Sequence, residues 1–204
     1  MLTNRINKQI RLVIAVTVTV TTISRAWAGN LPESVPSPAR LWQSIRAVMA
    51  EGRLLPGSTA YQPGSRMVDY YTTDKVDEIA HGTITAAGGV VRVTRYPAGS
   101  LLIKENFNTR KKLVGVTAML KLPHYDGADR NWVMAAYSPQ SKPLASGKVG
   151  SCIQCHMVAR KQDFVFAPPP TNLLPAAFIA SFFPGQKISP VYLRLLQEHP
   201  GSVL

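Results

Sequence analysis

Only two of the 204 residues are cysteine and four are histidine, and 11 acids stand against 23 lysines and arginines. A zinc site built from protein donors wants four ligands, and beyond the cysteines the chain offers only His81, His124 and His199 besides the histidine next to them, none at ligand spacing. No repeat or low-complexity tract appears, which excludes solenoids and repeat arrays. No apolar run is long enough for a membrane anchor: Leu12 to Ile23 falls short of a span of about 20 residues and is rich in threonine. The scarcity of acid leaves a formal charge of +12. The cations are scattered, not clustered with aromatics, so they do not make a nucleic-acid footprint.

Both cysteines fall in one five-residue stretch, Cys152-Ile153-Gln154-Cys155-His156. C-x-x-C-H is the spacing at which two thiols add across the vinyl groups of one porphyrin while the next residue ligates the iron from below. The competing readings are a thiol redox pair, half of a zinc site, or chance. The redox pair would need a βαβ context and has no use for His156. The motif therefore predicts one covalent haem c, with Cys152 and Cys155 as thioether sites and His156 as the proximal iron ligand.

The start of the chain agrees with that chemistry. Arg5, Lys8 and Arg11 form a basic n-region, Leu12 to Ile23 an apolar stretch, and Ala26-Trp27-Ala28 a small-x-small cleavage site. Residues 1–28 are expected to be a secretory signal cut after Ala28, which puts the mature protein in the periplasm, where haem c is attached in bacteria, with no stable membrane span. Residues 29–204 then make one domain with formal charge +8. Such a basic surface suits an acidic redox partner protein or an anionic membrane face.

Ser37-Pro38 followed by Leu41, Trp42, Ile45, Val48 and Met49 predicts a capped amphipathic helix ending at Gly52. From Thr83 to Ser138 the pattern turns to period two, with strands expected around Val90–Tyr96, Ser100–Asn106, Leu113–Leu122 and Asn131–Tyr137. Asp163–Phe166 reads as a short strand or extended stretch, and Pro190–His199 as a terminal helix. The fold class is thus α+β, mainly an antiparallel sheet with a few flanking helices. Met67, Met119, Met134 and Met157 have the context of core filler more than of a second axial ligand, which leaves an open distal face on the iron.

The runs Gly99-Ser100-Leu101-Leu102-Ile103-Lys104-Glu105-Asn106-Phe107, Leu113 to Met119, Asn131 to Tyr137, and Gly147 to Gly150 leading into the haem motif and Asp163 to Phe166 resemble the cytochrome P460 family, which includes the cytochromes c′-beta. The resemblance covers about Gly82 to Phe166. It implies a mostly antiparallel β fold, commonly a homodimer, around one five-coordinate haem c. It also implies that Lys104 occupies the place of a lysine bonded to the porphyrin edge in P460 enzymes. Against this stand a lysine paired with a neighbouring acid, or one reaching solvent at a strand end.

P460 enzymes oxidise hydroxylamine and use a carboxylate and an arginine on the distal side, whereas the cytochromes c′-beta lack the cross-link and bind gases such as nitric oxide. The expected function is therefore a haem-dependent oxidoreductase acting on hydroxylamine or a related small nitrogen species. The alternatives are a gas-binding protein without turnover and, behind both, a simple electron carrier. The distal carboxylate cannot be picked out by spacing; Arg66, Arg92 and Arg95 are the arginine candidates, and Phe107 or Tyr96 would make the distal face apolar.

Overall fold

In a computed structural model the described residues are 34–204 without Asp129; the expected signal segment, 1–28, lies outside them. Among the described residues the chain forms five α-helices and a seven-stranded antiparallel sheet, an α+β fold. The strands are β1 (Arg53–Leu54), β2 (Gln62–Pro63), β3 (Tyr71–Val76), β4 (Leu101–Phe107), β5 (Leu113–Lys121), β6 (Trp132–Tyr137) and β7 (Pro143–Gly147). They run β1-β3-β4-β5-β6-β7 across the sheet, with β2 also on β3. From β3 to β7 the sheet is built by neighbours in sequence, each turning back on the last.

Helix α1 (Pro38–Glu51) starts as its sequence predicts: the Ser37 hydroxyl accepts from Arg40 N at 3.4 Å, and Pro38 supplies a preset φ where no N–H is needed. It ends at Gly52, where a Cβ would collide with the Val48 carbonyl. Leu41, Ile45 and Val48 are buried against Leu101, Ile103, Val116, Ala118, Leu120 and Val133, so α1 covers one face of the sheet. At its end the Lys75 Nζ donates to the Met49 carbonyl and pairs with Glu105 at 3.5 Å, which accounts for two charged groups beneath an apolar helix.

The other face carries a second cluster: Val76, Leu102, Met119, Trp132 and Met134 packed with Ala80 and Ile84 of α2 (Glu78–Ala87), and with Phe164 and Val165. Helix α2 was not legible, because Gly82, Thr83 and Thr85 hide its periodicity. Its caps are clear in space, with the Asp77 side chain accepting from Ala80 N and Gly88 left-handed at φ 76°.

The strand expected at Val90–Tyr96 is instead a 3-10 turn at Val90–Arg92 followed by extended chain. Gly88 and Gly89 turn the chain there, and Val90 and Val93 point inward at a spacing of three, not two. Asp163–Phe166 is not a strand either, for Asp163 and Phe164 are both left-handed. The strands expected from Ser100 to Tyr137 and the helix expected at the end, α5 (Pro190–Glu198), are present.

Replacing Ile45, which is fully buried, with alanine is expected to cost about 2–5 kcal/mol. Urea denaturation would report this as a lower midpoint with an unchanged slope, whereas a changed slope would point to loss of two-state unfolding.

Candidate functional site

Helix α3 (Gly150–His156) puts Cys152, Cys155 and His156 at i, i+3 and i+4, hence on one face. That face opens on a cavity of about 450 Å³ whose lining includes all three side chains. Burial pushes both thiols up from their ordinary pKa, against a smaller lowering from the positive Lys104. His156 Nδ1 lies 2.6 Å from the Phe164 carbonyl oxygen. Because a carbonyl only accepts, Nδ1 carries the proton and Nε2 is left with its lone pair free for a metal. Burial, aided by Lys104, pushes the imidazole down to about 4, so it is neutral at physiological pH.

The carbonyl that orients His156 belongs to a turn held by the buried Asp163. Its carboxylate accepts from Tyr96 N and Lys121 Nζ, each at 2.7 Å, with Arg130 at 3.8 Å, and its own carbonyl accepts from Trp132 Nε1 at 2.7 Å. Burial lowers the pKa of Lys121, and the hydrogen bond to Asp163 opposes that shift. Two successive non-glycine residues at φ 53° and 68° are uncommon and persist where surroundings over-determine them.

Lys104 lies on the sheet wall of the same cavity. Strand β4 is buried at every position except this one. The register sets Asp74 of β3 on one side of Lys104 and Thr117 of β5 on the other. Asp74 Oδ2 accepts from Gln62 Nε2 at 2.6 Å. Burial pushes Asp74 up to about 6, with Lys104 and the Gln62 hydrogen bond pulling the other way. Glu105, next to Lys104 in sequence, faces the opposite side of the sheet and pairs with Lys75, so Lys104 is not consumed by its neighbour.

Asn106, two residues on, donates its amide N–H groups to the Lys104 and Gly115 carbonyls at 3.3 Å. That fixes the amide's orientation and leaves the buried Oδ1 without a hydrogen-bond partner among the described residues.

Of the distal arginine candidates, only Arg66 lines the cavity, and its guanidinium is engaged by Asp69 and Gln186. Arg92 and Arg95 lie elsewhere, as do Phe107, tilted against Tyr61 with ring centres 4.8 Å apart, and Tyr96, against Trp132 at 5.6 Å. Met119 and Met134 are core residues whose side also borders the cavity. Asp74, Asn106 and Gln62 escaped sequence reasoning because no local spacing marks them; β-strand pairing brings them to the site. Among the described residues no group of three or more His, Cys, Asp or Glu side chains gathers for a metal ion. Two thiols and a neutral imidazole on one helix face, opening on one large cavity, form a donor set that fits haem.

Because the folded protein holds the Asp74 proton more tightly than the unfolded chain does, stability contributed by this group is present below about pH 4 and is lost as pH rises toward about 6. Asp74→Asn is expected to remove that contribution, read as a change in Tm from pH 4 to 6.5 that is more positive than the parent's. Removing one member of the buried pair, as in Asp163→Ala, is expected to cost about 3–5 kcal/mol, measured by the same denaturation.

No curated protein matches the chain. Residues 60–167 match the family model described as cytochrome P460, a stretch that starts ahead of the resemblance visible by eye and takes in β2, β3 and α2. That match covers more than half of the chain, and Cys152, Cys155 and His156 fall inside it: the protein belongs to the cytochrome P460 family.

Proposed function

We propose that the exported chain carries one haem c, bonded through Cys152 and Cys155 and ligated by His156. In this reading it works in the periplasm as an oxidoreductase on hydroxylamine or a related small nitrogen compound. The observation that carries the reading is the convergence of the C-x-x-C-H face, Lys104 and Asp74 on one cavity. When bound, the haem supplies an iron with an open coordination position and a route for electrons to an external acceptor.

The residues have separable tasks. His156 presents Nε2 in a fixed orientation because Nδ1–H is tied to Phe164. Oxidation of hydroxylamine releases protons as well as electrons, so the site needs an acceptor that is ionised near neutrality and binds a proton readily. Asp74, with its pKa near 6 and its carboxylate on the cavity, meets that need. Asn106 Oδ1 offers an acceptor to a ligand N–H or O–H. Electrons then leave to a redox partner protein, for which the basic surface favours an acidic face. By family likeness the working unit is a homodimer.

A second reading, nitric-oxide or gas binding without turnover in the manner of a cytochrome c′-beta, draws on the apolar part of the lining, which includes Met119, Met134, Ile179 and Phe182. Lys104 divides the two readings, since its amine borders the cavity and can bond to a ring edge only when deprotonated.

The deciding measurement is the ferrous absorption spectrum of protein made with a haem-c maturation system, joined to peptide mass mapping. A red-shifted Soret band with the Lys104 peptide linked to the Cys152–His156 peptide supports the hydroxylamine enzyme. A high-spin haem c spectrum with Lys104 free favours gas binding. A low-spin six-coordinate spectrum overturns both in favour of electron transfer, with Met119 or Met134 as the sixth ligand. In the first case Asp74→Asn is expected to lower kcat by about 10²-fold while leaving the spectrum unchanged.

A further inference from the structure

We infer that the segment after the family-matched residues, Pro168 to Leu204, is a specificity element that walls the cavity and limits it to ligands of a few heavy atoms. The inference rests on the reading above, in that the ligand is taken to bind at a haem in this cavity. The match ends at Ala167, and the 37 residues beyond it are folded around a core of their own, Leu173, Ile179 and Tyr192 with Leu174, Phe183 and Ile188. Eight of these later residues line the same cavity as Cys152, Cys155 and His156: Pro168, Pro169 and Asn172 at its start, and the apolar or aromatic Leu174, Ile179, Phe182, Phe183 and Tyr192.

The wall is closed on itself at one end and tied to the rest of the chain at the other. At one end Tyr192 Oη accepts from Leu174 N at 2.7 Å and donates to Leu174 O at 3.2 Å. Next to it Leu173 N bonds Ser202 O and Leu204 N bonds Leu173 O, each at 2.9 Å. The one polar atom that Tyr192 brings is thereby spent on the backbone, and what remains toward the cavity is apolar.

At the other end Arg66 is a latch. Its guanidinium lies 3.8 Å over the Phe183 ring, bonds Gln186 Oε1 at 2.7 Å, and grips both oxygens of Asp69 at 2.5–3.2 Å. Beside it Met67 N bonds Lys187 O at 2.9 Å and Ser189 N bonds Ser65 O at 3.0 Å, so residues 65–67 and 187–189 are joined backbone to backbone. Arg66 is therefore occupied in holding the wall, with the aromatic contact and the planar fork both in use.

The porphyrin would share this cavity, whose wall carries Phe183, which cannot turn aside without breaking its Arg66 contact, and Phe182, which packs on Phe178 at 4.9 Å. A diatomic or hydroxylamine-sized ligand fits such a remnant. A ligand with a ring of its own must displace Phe182 or Phe183.

The test compares cyanide and imidazole binding to the ferric haem-loaded protein by Soret titration, in the parent, in Arg66→Ala and in the double variant Phe182→Ala with Phe183→Ala. The expected result is that the ratio of imidazole to cyanide affinity rises at least tenfold in both variants. A parent that already takes imidazole as readily as they do, or a ratio that does not move, overturns the inference. Limited proteolysis reads the latch without reference to haem: Arg66→Ala is expected to be cut within residues 168–204 several-fold faster than the parent, and equal rates overturn the latch. A parent that never acquires haem under maturation overturns the proposed function, and the size filter falls with it, while the proteolysis rates still judge the latch.

Discussion

The hydrogen bond from His156 Nδ1 to the Phe164 carbonyl is the contact on which the site turns, and it exists only because Asp163 holds the chain in an otherwise unfavourable turn. Asp163 is wholly buried, so its charge would be costly without partners. It has them from three directions, the Tyr96 backbone and Lys121 at the end of β5 on Oδ2 and Arg130 3.8 Å from Oδ1, while Trp132 at the start of β6 donates to its backbone carbonyl. A buried ion pair contributes little net stability compared with an apolar replacement. Here its geometric effect is plain, since it ties the chain following α3 to the end of the sheet and fixes the direction in which one carbonyl points. Imidazole tautomer and ring orientation follow from that direction.

The sheet then divides labour between its faces. Leu101, Ile103, Glu105 and Phe107 of β4 alternate with Leu102, Lys104 and Asn106, so one strand serves the α1-covered core and the cavity at once. Burial on both sides explains why β4 does not alternate strictly between apolar and polar residues, and why its one exposed residue is informative. A lysine in the middle of such a strand is exposed only where a cavity borders it, and the register sets the half-buried Asp74 and Thr117 beside it on the same cavity wall.

What was legible in the sequence follows from how local each constraint is. Covalent haem attachment demands contiguous residues, so Cys152, Cys155 and His156 stand out as a motif. Helix α1 announces itself through Ser37-Pro38 and its apolar stripe, and the strands from Leu101 to Tyr137 through alternation. By contrast, Asp74 reaches Lys104 across a strand pair thirty positions apart in the chain, and nothing near Asp74 signals it. The valines of Val90–Val93 mislead for a related reason: β-branched residues favour strands on average, but two glycines before them turn the chain and tertiary packing decides the outcome. Phe107 and Tyr96 look like pocket aromatics in a list of residues, yet each finds an aromatic partner elsewhere.

Two acid–base pairs border the cavity and behave differently because arginine and lysine differ. Asp69 is gripped by a planar guanidinium, and the pair is fixed further by Phe183 and Gln186. Asp74 has a flexible ammonium as its cross-strand neighbour and a neutral amide as its hydrogen-bond partner, and burial outweighs both, bringing its carboxyl within reach of neutral pH. The first arrangement can bear load; the carboxyl of the second can exchange a proton at little cost. A cavity with its rigid pair on the aromatic wall and its titratable pair on the sheet is suited to hold a small ligand still on one side while protons move on the other.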